Sequence, residues 1–146
     1  MRKEFGLYIH IPFCRQKCFY CDFPSFAGRE KKIDRYLQAL EQEFALLRQR
    51  VYSKDNARDT ERKFAPRTIY IGGGTPTALN AHKLAKLLEI VQKYVAVAEA
   101  EEFTVEMNPG TVDRAKLLLL QKAGVNRLSV GVQSFDDNRL QKIGRI

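Results

Sequence analysis

Cys14, Cys18 and Cys21 stand in the segment Cys14-Arg15-Gln16-Lys17-Cys18-Phe19-Tyr20-Cys21, and the 146-residue chain holds no other cysteine. Thiolates are ligands for soft metal centres: zinc, copper(I) and iron–sulfur clusters. A structural zinc site normally closes with four protein ligands, and here a fourth thiolate is absent. His10 could supply a nitrogen, but it lies four residues before Cys14 in a strand-like stretch, away from any zinc-finger pattern. With three thiolates, a four-iron cluster keeps one iron open to a small molecule. The spacing favours such a cluster, and a zinc-binding module is the alternative. An odd number of cysteines cannot all pair as disulfides, and a reducing compartment would keep them as thiols.

Other chemistry-bearing residues punctuate the rest of the chain. Gly72-Gly73-Gly74-Thr75-Pro76-Thr77 is neither a Walker loop nor a complete Gly-x-Gly-x-x-Gly motif. It exposes backbone that a ligand could approach closely, or it makes a sharp turn. Glu106 is followed by Asn108-Pro109-Gly110, and Gln133-Ser134 comes later. Glu106, Gln133 and Arg145 each have a plain reading as exposed polar residues.

The elements that must position these residues follow from periodicity. Phe5 to Ile11 alternates and is rich in β-branched and aromatic residues, which predicts a strand ended by Pro12. Tyr8 and His10 share one face of it, where His10 reads best as a hydrogen-bonded core histidine. A loop carries the cysteines to about Ser25. Ile33, Leu37, Leu40, Phe44, Leu47 and Val51 recur at helical spacing, and Tyr52 to Pro66 has no period and predicts a loop. Further strands are expected at Thr68–Ile71, Glu102–Met107 and Arg127–Val132. Helices are expected over Ala81–Tyr94, from a cap at Thr111 or Asp113 to Ala123 with Gly124 as its stop, and from Asp136 toward the chain end.

This alternation argues for parallel βαβ units and an α/β fold. Four units are too few to close an eight-stranded barrel of about 250 residues. The chain is expected to be an open α/β sheet or, the preferred reading, residues 1–146 of a larger (β/α) barrel. In such folds function gathers at the C-terminal strand ends, and the cysteines, the glycine segment, Glu106 and Gln133 all fall there.

Hydrophobic residues make up 45% and charged residues 29%, as in ordinary globular proteins. No run of about 18 apolar residues suggests a membrane span, and the N-terminus lacks the apolar core of a signal peptide, so a cytoplasmic protein is expected. The net charge of +8 reflects bases crowded between Arg48 and Arg67, among them Arg50, Lys54, Arg58, Arg62 and Lys63. Asp55, Asp59 and Glu61 interleave with them, and no nucleic-acid signature accompanies them. A solvated surface is expected, with no nucleic-acid partner.

Cys14-x-x-x-Cys18-x-x-Cys21 resembles the signature of radical S-adenosylmethionine proteins. Tyr8-Ile9-His10-Ile11-Pro12-Phe13-Cys14, Gly72 to Thr77, Glu106-Met107-Asn108-Pro109-Gly110 and Gly131-Val132-Gln133-Ser134-Phe135 together resemble the oxygen-independent coproporphyrinogen III oxidase group. The resemblance covers nearly the whole chain, in the family's order. It implies a radical SAM barrel whose three cysteines bind a 4Fe-4S cluster, with S-adenosylmethionine on the open iron. Reductive cleavage of that molecule would give methionine and a 5′-deoxyadenosyl radical. Carried over by matching positions, Tyr8 lies against the cofactor, Gly73, Gly74 and Thr75 line its site, and Glu106 contacts it. Tyr20 matches an aromatic position near the adenine. Gln133 and Arg145 match residues that hold a second S-adenosylmethionine in the oxidase.

Two departures bear on function. The oxidase carries a fourth cysteine two residues after the third, where this chain has Phe23, and a longer segment before the first strand, where this chain has Met1 to Glu4. Both fit HemW-type haem chaperones, which resemble the oxidase but are not known to decarboxylate coproporphyrinogen. The resemblance implies haem binding beyond Ile146, an electron donor and a haem acceptor. The decarboxylating oxidase is the alternative.

Overall fold

Strand β1 (Gly6–Ile11) follows the predicted alternation. A computed structural model describes residues 5–52 and 62–145. After β1 come two-residue strands β2 (Phe13–Cys14) and β3 (Phe26–Ala27), then helix α1 (Ile33–Tyr52). The remaining elements are β4 (Thr68–Gly73), α2 (Ala81–Tyr94), β5 (Glu102–Met107), α3 (Arg114–Lys122), β6 (Arg127–Val130) and α4 (Asp137–Lys142). The main sheet is parallel throughout, in the order β1-β4-β5-β6, with a helix crossing between each neighbouring pair. The α/β expectation therefore holds.

One face of β1, β4 and β5 makes the core. Ile9 and Ile11, Ile69 and Ile71, and Phe103 and Val105 are buried with Leu37 and Phe44 of α1, Leu84, Leu87, Leu88 and Val91 of α2, and Leu120 of α3. Burial of these side chains is the main drive for the layering. Period two sends the intervening residues to the opposite face. Register there aligns Tyr8 with Tyr70 and Tyr70 with Thr104, and then His10 with Gly72 and Glu106 with Ser129. That polar face leads to the site.

Helix ends obey local chemistry. Asn80, Asp113 and Asp136 cap α2, α3 and α4 through side-chain oxygens, so Asp113 rather than Thr111 is the cap of α3. Both α3 and α4 close in Schellman motifs: Val125 N–H donates to Leu120 O, and Arg145 N–H to Leu140 O.

The structure corrects four boundaries. Strand β4 runs on through Gly72 and Gly73, because pairing with β1 overrides the glycines' weak strand preference. Strand β6 stops at Val130, where the chain turns and Val132 N–H donates to Val130 O. Helix α4 ends at Lys142, at the turn that Gly144 permits. Phe64, in the stretch expected to be loop, is buried and bridges to Val95. Of the basic stretch, Lys54, Asp55, Arg58, Asp59 and Glu61 lie outside the described residues. Arg48 sits over the Tyr94 ring, Arg62 over the Tyr52 ring, and Arg67 pairs with Glu101. No helix among the described residues is long and apolar enough to cross a membrane.

Candidate functional site

A cleft of about 280 Å³ opens at the C-terminal strand ends. Cys14, Cys18 and Cys21 line it with Tyr20 and Phe23, facing Gly73, Gly74, Thr75, Glu106, Gln133 and Arg145. Every residue expected to bind the cofactor or the metal is therefore at this cleft except Tyr8. Tyr8 sits lower on the same sheet face, half exposed, with its ring 6.0 Å from that of Tyr70. Burial and the Glu106 charge raise its pKa.

The glycine segment is shaped by what it must pass. Gly73 has φ +113°, a conformation costly for any L side chain, and a Cβ there would lie 2.5 Å from the His10 ring. At Gly74 a Cβ would lie 2.6 Å from the Phe13 carbonyl oxygen and 3.0 Å from Cys14 Sγ. Gly74 N–H donates to Ile11 O and Thr75 N–H to Phe13 O, each at 2.8 Å. The close approach is thus what seats Cys14 against the rim.

His10 is a hydrogen-bonded histidine, as expected from its strand face. Nε2 is 2.9 Å from Pro24 O, which can only accept, so Nε2 carries the proton and Nδ1 accepts from Tyr8 Oη at 2.9 Å. His10 thereby ties the strand face to the cysteine loop. The loop is also stitched to the end of α4. Phe19 N–H donates to Ile143 O at 3.0 Å, and Gln16 Nε2 donates to Gly144 O at 3.0 Å.

Glu106 is held from two sides: Tyr70 Oη donates to Oε1 at 2.7 Å and Gly73 N–H donates to Oε2 at 3.0 Å. The Glu106 hydrogen bond, then burial, raise the Tyr70 pKa, so Tyr70 remains a neutral donor. Arg145 donates to Asn108 Oδ1 at 2.7 Å, to the Gly131 carbonyl, and to Cys18 Sγ at 3.6 Å. Asn108 Nδ2 in turn donates to Thr75 Oγ1 at 2.9 Å. Gln133 is the non-glycine residue with positive φ among the described residues, at +66°. Such strain is found where a ligand or switch uses it.

Sequence reasoning did not single out Tyr70, Asn108, Ser25 or Lys116. Asn108 was legible only as part of a turn, and the other three carry no spacing signal. Lys116 is buried, and Nζ donates to Thr77 O and Thr111 O at 2.8 Å each, joining the segments after β4 and β5. Burial, then the Arg15 charge, lower its pKa. The unfolded chain therefore binds this proton more readily, and the folded state gains stability as pH rises from the lowered native value to the ordinary value of about 10.4. Lys116→Met should cost about 1–3 kcal/mol by orphaning two carbonyls. The gap between wild-type and variant urea midpoints should widen as pH rises toward the ordinary lysine value. A pH-independent gap would show that Lys116 does not titrate in that window.

All three cysteines are free and partly buried. Among the described residues, no three His, Cys, Asp or Glu side chains gather closely enough to hold a single metal ion. A zinc ion would draw its sulfurs to about 2.3 Å of one point. Three thiols with no fourth protein ligand fit a cluster that leaves one iron open.

The Radical SAM superfamily model matches residues 8–146. The haem chaperone HemW of Bacillus subtilis is 44% identical over 140 residues, covering 95% of this chain and 34% of the relative. HemW of Escherichia coli is 43% identical over 142 residues, covering 97% and 35%. The solved structure of the E. coli radical SAM enzyme coproporphyrinogen III oxidase, HemN, superposes with a TM-score of 0.77 at 31% identity, covering 96% of this chain and 30% of that one. The chain spans about a third of the length of the curated relatives it matches.

Proposed function

The chain belongs to the Radical SAM superfamily, and from that premise we propose that it is the cofactor-binding N-terminal portion, residues 1–146, of a HemW-type haem chaperone. The family implies a 4Fe-4S cluster and S-adenosylmethionine. The observation that carries the reading is the gathering of three free thiols, the glycine rim and Glu106 around one cleft. Cys14, Cys18 and Cys21 are the cluster ligands. When bound, the cluster supplies the electron for reductive cleavage of S-adenosylmethionine.

The chain's own residues do the holding. Gly73 and Gly74 offer backbone with no side chain in the way, and Thr75 lines the same rim. Glu106 stands at the wall, braced by Tyr70 and Gly73 N–H, where a carboxylate attracts the cationic end of S-adenosylmethionine. Tyr20 offers an aromatic face to the adenine, Gln133 a side-chain amide at the rim, and Tyr8 support from below. Arg145 lines the same cleft with its guanidinium already bonded to Asn108, Gly131 and Cys18.

The larger barrel is supported by an apolar edge. Leu128 and Val130 of β6 and Leu117 and Leu118 of α3 are exposed, a surface that a further strand–helix unit would cover. The relatives' description as haem chaperones supports haem as the cargo of the whole protein, which then needs an electron donor and a haem acceptor.

Anaerobic reconstitution of the full-length protein should give four irons per chain, and titration with haem should give a Soret band. One zinc and no iron would overturn the cluster. Coproporphyrinogen turnover without haem binding would replace the chaperone by the oxidase.

A further inference from the structure

Each of the three thiols has its own side-chain hydrogen-bond partner, and each partner comes from a different part of the fold. Thr75 Oγ1, past the end of β4, is 3.7 Å from Cys14 Sγ. Arg145, past α4, donates through Nη1 to Cys18 Sγ at 3.6 Å. Ser25, in the cysteine loop itself, has Oγ 3.8 Å from Cys21 Sγ. Thr75 and Ser25 are buried, at 3% and 2% exposure.

Proton bookkeeping fixes the direction of these contacts. A metal-bound thiolate has no proton and can only accept. Thr75 Oγ1 already accepts from Asn108 Nδ2, so its own hydrogen is free for Cys14. Asn108 Oδ1 accepts from Arg145. Donation therefore runs from Arg145 through Asn108 and Thr75 to Cys14, while a second guanidinium nitrogen reaches Cys18 directly. One positive charge thus acts on two sulfurs, and successive donors polarise one another. Ser25 serves the third sulfur independently.

We infer that Thr75, Arg145 and Ser25 form a shell of donors that sets the reduction potential of the cluster, with Ser25 and the Arg145–Asn108–Thr75 chain acting as two separate levers. Donors to thiolate sulfur stabilise the more negative, reduced cluster and so raise its potential. The three act through the ligands and are tuning residues, not catalytic ones. The inference rests on the cysteines being cluster ligands.

The test is a potentiometric titration of the full-length protein, reconstituted anaerobically with iron and sulfide and reduced stepwise by dithionite, with the reduced cluster read by electron paramagnetic resonance. Ser25→Ala should keep four irons per chain and shift the midpoint to more negative potential. Thr75→Val should shift it the same way, and Thr75→Ser should restore the wild-type value. The double variant Ser25→Ala/Thr75→Val should show the sum of the two shifts, because the levers share no partner. Iron-loaded variants with an unchanged midpoint would overturn the inference while leaving the ligand assignment intact. Loss of iron in Ser25→Ala and in Thr75→Ser alike would also overturn it, making the hydroxyls purely structural. Failure of the wild type itself to take up iron would instead reject the cluster reading beneath it.

Discussion

Gly74→Ala is expected to destabilise the protein by about 3 kcal/mol and to remove most of its iron. The added methyl would sit 2.6 Å from the carbonyl oxygen of Phe13 and 3.0 Å from that of Ile11, both backbone atoms. Neither can rotate away, and the Ile11 carbonyl is the acceptor of Gly74's own N–H. Relief requires β1 and the glycine segment to separate, which breaks that hydrogen bond and the one from Thr75 N–H to Phe13 O. It also pushes on Cys14 Sγ, 3.0 Å from the new methyl. Gly28→Ala is the control. Gly28, unlike Gly74, has positive φ, at +68°, and nothing lies within 4 Å of its added Cβ. That variant should lose only the left-handed backbone cost of about 1–2 kcal/mol and keep its iron. Urea midpoints and iron analysis of the two full-length variants check both statements, and equal losses would show that crowding at Gly74 plays no part.

The contrast between these glycines also shows what a sequence can and cannot reveal. That glycines interrupt a strand-like run was visible in Gly72 to Gly74, and so was the choice between a turn and an exposed backbone. What decides the choice is Phe13 and Cys14 packed against Gly74, a contact across some 60 residues that no local pattern records. Core strands and helices were legible because burial imposes period two or 3.6 on the chain itself. The start near Asp136 was local too, whereas the Asn80 cap was not singled out and Thr111 and Asp113 were left equivalent. The pair β2–β3 was not legible, since two residues cannot show a period. The cysteines were legible as ligands because all three lie on one loop, whereas their hydrogen-bond partners were not: Thr75 and Arg145 reach Cys14 and Cys18 only once four strands are aligned. Arg145 was assigned to cofactor binding by resemblance, yet its place follows from the Schellman turn that ends α4 and swings it back over the cleft.

Cys18→Ala should lower iron content at least about tenfold while changing the stability of the iron-free protein by less than about 1 kcal/mol. The two effects separate because Cys18 binds no partner that the fold needs. Arg145 loses one acceptor but keeps Asn108 Oδ1 and the Gly131 carbonyl, so the guanidinium stays in place. Phe19 N–H still holds the loop to Ile143, and Gln16 still holds it to Gly144. Two remaining thiolates must then serve four irons. The loop cannot slide to offer another ligand, because it holds no other cysteine and His10 is committed to Pro24 and Tyr8. Loss should accordingly be all-or-none: Cys14→Ala, Cys18→Ala and Cys21→Ala should fall to the same residual iron, measured after anaerobic reconstitution. A graded series, with one variant keeping its iron, would remove that cysteine from the ligand set. It would also free a thiol in the cleft, and the vacancy expected for S-adenosylmethionine would then have to be found at a different iron.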